Sequence, residues 1–391
     1  MKAAQKERKV LAREAPGELE VSRLEGGFLF DNKGKKYVDF VAGWCVGNLG
    51  WSNHDLVREI QRFKGPDYVY PDYSYKGWTE LANLLASISP GKLTKSFRAT
   101  GGSEAIDLAM QAAMVHTRRR AFISIEDSYH GNSLAGLSIG ASDKREQCPN
   151  LLRYCYKVSP PLDETALQKI ETRLKKRDVA AFIMEPISIN LAVLVPSNSF
   201  MQELQRLCRK YGTLLIADEV ATGFGRTGRM FACEHFDLQP DIMCLAKAIT
   251  GGILGLGATV TTSAVAKSLE EKGSFYSTYG WHPRSTHAAL LTVRYFIRHK
   301  KELLEQIAAT STYFRSRLSR ISFKQKVTIR IQGLAVAVDL HSEEDASNLQ
   351  TKCRRGGLLI TAEGSAVLLL PTLNISREVA KRGLDILEMC A

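Results

Sequence analysis

Hydrophobic and polar positions follow two different patterns along this chain, and the change occurs near Trp78. Before it, apolar residues alternate with polar ones on both sides of residues 31–34, which predicts a β-hairpin over 27–41. After it, short apolar runs alternate with stretches of helical periodicity. Strands separated by helices indicate crossover connections, and therefore a largely parallel sheet with both faces covered.

Seven apolar runs predict the strands of one large α/β domain, with helices that include 104–117, 163–176 and 199–211. The predicted strands are residues 95–99, 120–125, 151–156, 180–184, 214–217, 242–245 and 258–261.

The two ends of the chain predict a small α+β domain, in which the C-terminal part pairs with the N-terminal hairpin. We expect a charged helix and a connector in 1–25, an irregular functional loop over 42–54, and a helix over 55–63. The predicted domain segments are 1–50, 51–284 and 285–391. In the last segment we expect a long helix over 285–314, strands around Gly333 in 328–340, a helix over 343–356, strands at 358–360 and 366–370, and a closing helix over 376–389.

Composition narrows the class of protein. No run of about 18 apolar residues predicts a membrane span, and the charged first 15 residues lack the apolar core of a secretory signal. The eight cysteines stand singly, without a CxxC pair, which favours free thiols in a reducing compartment over disulfides or a zinc site. We therefore expect a cytoplasmic protein without a bound metal.

The formal net charge is +12, with basic clusters at 33–36, 118–120 and 175–177. Such clusters can bind a polyanion, form an ordinary solvated face, or attract an anionic cofactor or substrate. No basic patch interleaved with aromatic residues and no nucleic-acid module is visible. We expect no nucleic-acid or membrane partner.

Two chemically active side chains, Asp218 and Lys247, each follow a predicted strand. Ligands of open α/β sheets bind at the carboxyl ends of strands. A carboxylate there can keep a pyridine nitrogen protonated, and a buried amine can form a Schiff base with a carbonyl. Alone, such an aspartate more often caps a helix or binds a metal, and such a lysine more often lies at the surface. Together they predict a pyridoxal phosphate (PLP) site.

Residues 100–114 open with a glycine turn and continue as an amphipathic helix. Ser103 can cap this helix, whose first N–H groups would bind a phosphate. An ordinary capped helix has the same pattern, and no Walker A lysine follows. Tyr129 could stack on a flat ring, and His130 could act on a proton or be structural. The GFGRTG segment at 223–228 matches a dinucleotide pattern, but two carboxylates precede it and no clear helix follows.

Taken in order and spacing, these motifs resemble those of the class III (omega) aminotransferases of PLP fold type I, over roughly residues 20–390. The segments at 231–252 and 50–51 look most like the diaminopelargonate branch of that family and its amine-transaminase relatives. The motifs are GGSEA at 101–105, YHG at 129–131, EP at 185–186, DEVATGFGRTG at 218–228, AKAITGG at 246–252 and ST at 277–278.

The resemblance implies the following roles. Lys247 forms the Schiff base and Asp218 pairs with the ring nitrogen. Val220 and Tyr129 pack on the two ring faces, with His130 and Glu185 also near the cofactor. Gly102 and Ser103 bind the phosphate, and Thr278 binds the phosphate of a partner subunit, which implies a homodimer with shared active sites. Trp44 and Tyr129 contact substrate.

Two departures concern substrate. Family members that bind an α-amino acid carry a glutamate shortly after the EP and an arginine near the C-terminus. Here Asn190 and Leu368 stand at those positions, and Ala221 replaces the glutamine of ornithine-type members. Proteins usually bind a substrate carboxylate through two parallel hydrogen bonds from an arginine. We therefore expect one amine or keto substrate without an α-carboxylate at this site.

The expected activity is a ping-pong transamination between small-molecule amine and keto compounds, of the diaminopelargonate type or another. An aminomutase, racemase or decarboxylase would use the same lysine and aspartate. A non-catalytic basic binding protein is the alternative from a different class.

Overall fold

The computed structural model of this chain describes residues 19–143, 147–273 and 275–391. The helix expected near the N-terminus falls largely on residues 1–18, outside the described residues. The predicted hairpin is confirmed as β2 (Phe28–Asp31) and β3 (Lys36–Asp39), which pair antiparallel. The expected connector is wrong, because Val21–Glu25 forms a further strand, β1, against β2. Its residues are largely exposed, so no apolar alternation marks it.

The seven predicted apolar runs are all strands of one sheet, in the order β4-β10-β9-β8-β7-β5-β6. Only β10 runs antiparallel to its neighbours, so the sheet is mainly parallel, as expected for PLP fold type I. The strand predicted at 151–156 begins later, because Tyr154 has a left-handed φ of 64° that ends an extended segment. The strands are β4 (Leu93–Ala99), β5 (Ala121–Ile125), β6 (Cys155–Val158), β7 (Val179–Met184), β8 (Leu214–Asp218), β9 (Ile242–Leu245) and β10 (Gly257–Thr262).

Two smaller sheets form the α+β part. One has the order β1-β2-β3-β13 and the other β11-β12-β15-β14. Leu358 of β13 pairs in parallel with Val38 of β3, which confirms that the C-terminal part joins the hairpin. The additional strands are β11 (Thr328–Gln332), β12 (Ala335–Asp339), β13 (Leu358–Leu359), β14 (Thr361–Glu363) and β15 (Ala366–Leu369).

The helices cover both faces of the central sheet, which explains why β5 and β7 are buried at every residue. The single helix expected over 285–314 is wrong, because the backbone at His299 (φ −104°, ψ 15°) separates two helices. The α-helices are α1 (His54–Gln61), α2 (Lys76–Ile88), α3 (Gly102–Thr117), α4 (Leu134–Ile139), α5 (Glu164–Leu174), α6 (Asn198–Tyr211), α7 (Ser263–Lys272), α8 (Pro283–Arg298), α9 (Lys300–Leu318), α10 (Glu343–Gly356) and α11 (Arg377–Cys390).

A buried arginine joins the glycine-rich segment after β8 to the small sheets. Arg226 donates from Nη1 to Leu334 O (2.9 Å) and Pro371 O (2.7 Å), and from Nη2 to Asn48 Oδ1 (2.6 Å). Its side chain is fully buried. The GFGRTG segment is therefore a structural link between the two parts of the molecule.

Candidate active site

Asp218 is the last residue of β8, at the carboxyl edge of the central sheet, and is 3% exposed. Its Oδ2 lies 2.7 Å from His130 Nδ1, and its Oδ1 accepts a hydrogen bond from Val220 N at 3.0 Å. With its proton on Nδ1, His130 donates a hydrogen bond to this carboxylate. Two donors thus fix the orientation of the carboxylate.

Lys247 opens a 3-10 turn, Lys247–Thr250, two residues after β9 ends. Asp218 pairs with Cys244 in the sheet, so both chains leave the same edge side by side. The lysine is partly buried and has a left-handed φ of 49°. An uncommon backbone conformation of a non-glycine residue is typical of functional sites.

Glu185 follows β7, the strand beside β8, and is buried. Its pKa is raised well above the ordinary value, first by burial and second by the negative charge of Asp218, while Lys247 opposes the rise. Asp218 and Lys247 are therefore both close enough to Glu185 to act on its charge. Its Oε2 is buried and has no hydrogen-bond partner among the described residues.

The turn before α3 forms an anion cradle beside these residues. The helix begins at Gly102, and its N-cap is Gly101, which offers no side-chain cap. The expected capping role of Ser103 is wrong, because Ser103 lies inside the first turn and its Oγ accepts from Asn132 N at 3.3 Å. The first N–H groups of α3 thus remain available to an anion.

Close backbone approach requires glycine at two positions of this cradle. A Cβ on Gly102 would lie 3.1 Å from Val220 Cγ1 and 3.7 Å from Ala246 Cβ. A Cβ on Gly131 would lie 2.5 Å from Ser103 Oγ. These contacts bring the cradle, the segment after Asp218 and the residue before Lys247 into one cleft.

Three further predicted residues, Tyr129, Trp44 and Thr278, are exposed or partly exposed. Tyr129 is 53% exposed, and its pKa is raised by burial and by the nearby charge of Asp218. Trp44 has a left-handed φ of 57° in the turn Ala42–Cys45, which confirms the expected irregular loop. Thr278 is exposed and contacts the Tyr276 side chain.

Sequence reasoning missed the link made by Asn190. Its Nδ2 donates to Asp127 O at 2.8 Å, which joins the loop after β7 to the loop that carries Tyr129. The Oδ1 atom is buried and has no hydrogen-bond partner among the described residues. The sequence signal was present as a departure from the family pattern, but it did not show what the amide contacts.

Glu219, the second carboxylate after β8, points away from this network. Its side chain accepts hydrogen bonds from Ala232 N (2.9 Å), Cys233 N (2.8 Å) and the Thr222 hydroxyl. Burial nevertheless raises the pKa of Glu219 to about 7. This carboxyl group holds the chain beyond the glycine-rich segment.

A family model described as aminotransferase class-III matches residues 10–391. The chain belongs to that family. This class-III aminotransferase is a PLP-dependent enzyme that transfers an amino group between an amino compound and a carbonyl acceptor.

Its relatives carry different substrate names. It is 32% identical to a putrescine aminotransferase of Pectobacterium atrosepticum, over 92% of this chain and 80% of that protein. It is 30% identical to the adenosylmethionine-8-amino-7-oxononanoate aminotransferase of Staphylococcus aureus (92% and 89%). It is 34% identical to an acetylornithine aminotransferase of Methanosarcina mazei (95% and 91%).

Solved structures share the fold. The omega transaminase of Pseudomonas jessenii in complex with PMP superimposes with a TM-score of 0.92 at 24% identity, over 100% of this chain and 97% of that chain. A thermostable six-fold mutant of the same enzyme gives a TM-score of 0.92 at 25% identity.

The residues of the cleft fit PLP. The uncapped start of α3 suits a phosphate, the fixed Asp218 carboxylate suits a protonated ring nitrogen, and Lys247 supplies an amine. Two buried polar atoms, His130 Nε2 and Glu185 Oε2, have no hydrogen-bond partner among the described residues. Since buried polar atoms are normally paired, these atoms suit contact with a polar ligand.

Proposed function

We propose that the Lys247 amine would hold the cofactor and that its Nζ, when free, would accept the proton that leaves the substrate carbon. When bound, the cofactor supplies an electron-withdrawing ring that stabilises negative charge on that carbon. Asp218, held by His130 and Val220 N, keeps the ring nitrogen protonated. The contacts around Asp218 support this assignment.

We assign the remaining cleft residues to binding. Gly102 and Ser103 hold the phosphate at the start of α3, where the helix has no side-chain cap. Val220, in contact range of Gly102, packs on the ring. Tyr129 lies over the opposite face, and its partial exposure leaves its ring open to a ligand.

We propose that one substrate lacks the α-carboxylate that the Glu/Arg pair binds in amino-acid-specific members of the family. Asn190 is neutral, and its amide is fixed by Asp127 O. Leu368 is fully buried in β15, between Ala337 of β12 and Thr361 of β14. The absence of both charges carries this proposal, because no guanidinium at position 368 can form the usual fork with a carboxylate.

A half-reaction panel tests the substrate class. Stopped-flow absorbance would follow conversion of the cofactor to its amine form with putrescine, a long-chain primary amine, ornithine and glutamate. We expect at least one amine without an α-carboxylate to react faster than both amino acids, with release of the matching carbonyl product. Faster reaction of α-amino acids in both half-reactions would contradict the proposal. Turnover without formation of the amine form would favour an aminomutase, racemase or decarboxylase.

We propose a homodimer in which Thr278 reaches the partner's cofactor phosphate. The surrounding surface is rich in exposed aromatic side chains, which are typical of interfaces. The exposed tyrosines near this segment are Tyr68, Tyr70, Tyr73, Tyr276 and Tyr279.

Subunit mixing tests this arrangement directly. Lys247→Ala and Thr278→Ala enzymes would be co-refolded or co-expressed and assayed. A mixed dimer contains one site with both wild-type residues, so activity should rise well above the sum of the two parents. No gain in verified mixed dimers would show that Thr278 does not act across subunits, and sedimentation measures the oligomeric state separately.

We propose a cytoplasmic enzyme with two domains. We place the enzyme in the cytoplasm because its cysteines stand singly. Among the described residues, none of the helices is long and apolar enough to cross a bilayer. We propose 51–284 as the cofactor-binding domain and 1–50 with 285–391 as the small domain, with the Arg226 contacts across the division.

A further inference from the structure

Positive charge is concentrated at the amino edge of the central sheet, opposite the active site. The basic cluster 118–120 immediately precedes β5, and the cluster 175–177 ends one residue before β7 begins. Arg209 and Lys210 lie in the last turn of α6, the helix before β8. These three strands are consecutive in the sheet. Lys210 pairs with Glu171 at 3.0 Å, whereas the other seven basic residues form no ion pair with any described carboxylate.

A cleft with a volume of about 260 Å³ opens within this charged edge, between the end of α3, the end of α6 and the start of β9. Arg119 lines it and is held by the backbone. Its Nη1 donates to Val179 O (3.2 Å), Tyr211 O (2.9 Å) and Gly212 O (2.8 Å). The guanidinium is therefore oriented by carbonyl oxygens, and the nearby charge of Asp178 acts on it without an ion pair, since Asp178 pairs with Arg173.

The opposite wall carries a second cation. Arg209 is exposed, its side chain approaches Gln239 Oε1 at 3.5 Å, and its charge interacts with that of Asp241 without forming an ion pair. His116 also lines the cleft, with its Nδ1 at 2.8 Å from Ser268 Oγ. Among the lining residues, Asp241 is the single carboxylate, and its Oδ2 accepts from Leu215 N at 2.9 Å. The lining consequently keeps an excess of positive charge.

We propose that this cleft binds a small compound bearing one or more phosphate groups. Guanidinium groups recognise phosphate through paired N–H donors. Arg119 and Arg209 interact with the charges of Asp178 and Asp241 but form no ion pair with a described carboxylate, so two cations face one lining carboxylate. The volume suits a small molecule, and the concave shape distinguishes the site from an extended surface that would track a nucleic-acid backbone.

The cleft is separate from the proposed phosphate cradle of the cofactor. Leu214 and Asp241 stand at the amino ends of β8 and β9, whose carboxyl ends lead to Asp218 and Lys247. A strand of this length spans roughly 13 Å. A ligand bound at this edge would leave the cofactor in place, and this inference does not depend on the substrate class.

Isothermal titration of PLP-saturated enzyme with inorganic pyrophosphate tests the proposal, because the cofactor then occupies its own cradle. We expect saturable binding that weakens as NaCl rises from about 20 to about 200 mM, because salt screens the attraction between exposed charges. Arg209→Gln should raise the Kd at least about tenfold, the usual scale for a hydrogen bond to a charged group. Arg209→Lys should retain part of the affinity.

Arg206→Gln is the matched control, since Arg206 lies on the same helix, is exposed, and pairs with Glu203. It should leave the Kd unchanged. Undetectable pyrophosphate binding, or equal loss in both glutamine variants, would overturn the proposal. Binding of a 20-nucleotide single strand but not of pyrophosphate would also overturn it, in favour of a macromolecular polyanion.

Discussion

The contact between His130 and Asp218 provides a measurable link between the fold and cofactor affinity. His130→Phe keeps an aromatic ring of similar size but removes the donor 2.7 Å from Asp218 Oδ2. The histidine side chain is fully buried and that of Asp218 is 5% exposed, so solvent cannot replace the bond efficiently. A hydrogen bond to a charged group contributes about 1.5–3 kcal/mol. If this energy orients the carboxylate for the ring nitrogen, the Kd for PLP should rise roughly 10- to 100-fold.

Equilibrium dialysis with absorbance detection would measure this Kd, and thermal unfolding of the apoenzyme would report general damage. His130→Asn should recover much of the affinity, because its Nδ2 can replace the imidazole Nδ1 donor. His235→Phe is a control that removes a different, partly buried contact, between His235 Nε2 and Thr227 O at 3.0 Å. A His130→Phe enzyme with wild-type PLP affinity, or with a loss matched by His235→Phe, would refute the positioning role.

Three further predictions concern catalysis and stability. Lys247→Ala should abolish turnover with the fold intact by circular dichroism, and retained turnover would refute its assignment. Because the pKa of Glu219 is raised in the folded state, its protonated form contributes to the free energy of unfolding. This contribution is fully present below the ordinary pKa of 4.5 and is lost as pH rises through about 7. It amounts to up to about 3 kcal/mol. Glu219→Gln should therefore show a smaller fall in Tm from pH 6 to 8, and equal slopes would contradict this. Arg226→Met leaves three buried oxygens without their donor and should destabilise the enzyme by about 3–6 kcal/mol. The exposed Arg229→Met should have little effect on Tm, and similar losses would show that the buried contacts are not the cause.

The inner strands β5, β7, β8 and β9 could be predicted because they are buried at every residue and read as continuous apolar runs. The edge strands β4 and β6 are partly exposed and carry a weaker signal. β1 could not be predicted, since Val21–Glu25 is largely exposed and has no apolar alternation. The break between α8 and α9 could not be predicted from the sequence either. His299 lies between two helical patterns without a proline or glycine to mark the boundary.

The chemistry of the site was more predictable than its internal contacts. Asp218 and Lys247 follow apolar strands, a position that sequence can indicate. The bond from His130 to Asp218 depends on the spatial order of β5, β7 and β8, which periodicity does not specify. The helix start at Gly102, in place of a cap at Ser103, depends on local backbone geometry in the same way.

The location of Leu368 has an evolutionary consequence. It pairs on both sides within the small sheet and is fully enclosed by protein. A single Leu368→Arg substitution would bury a charge in this enclosed position and would cost several kcal/mol if no counterion came with it. The order of mutations at this place in the fold is therefore constrained, because an arginine is tolerated after, and not before, a change that supplies a counterion.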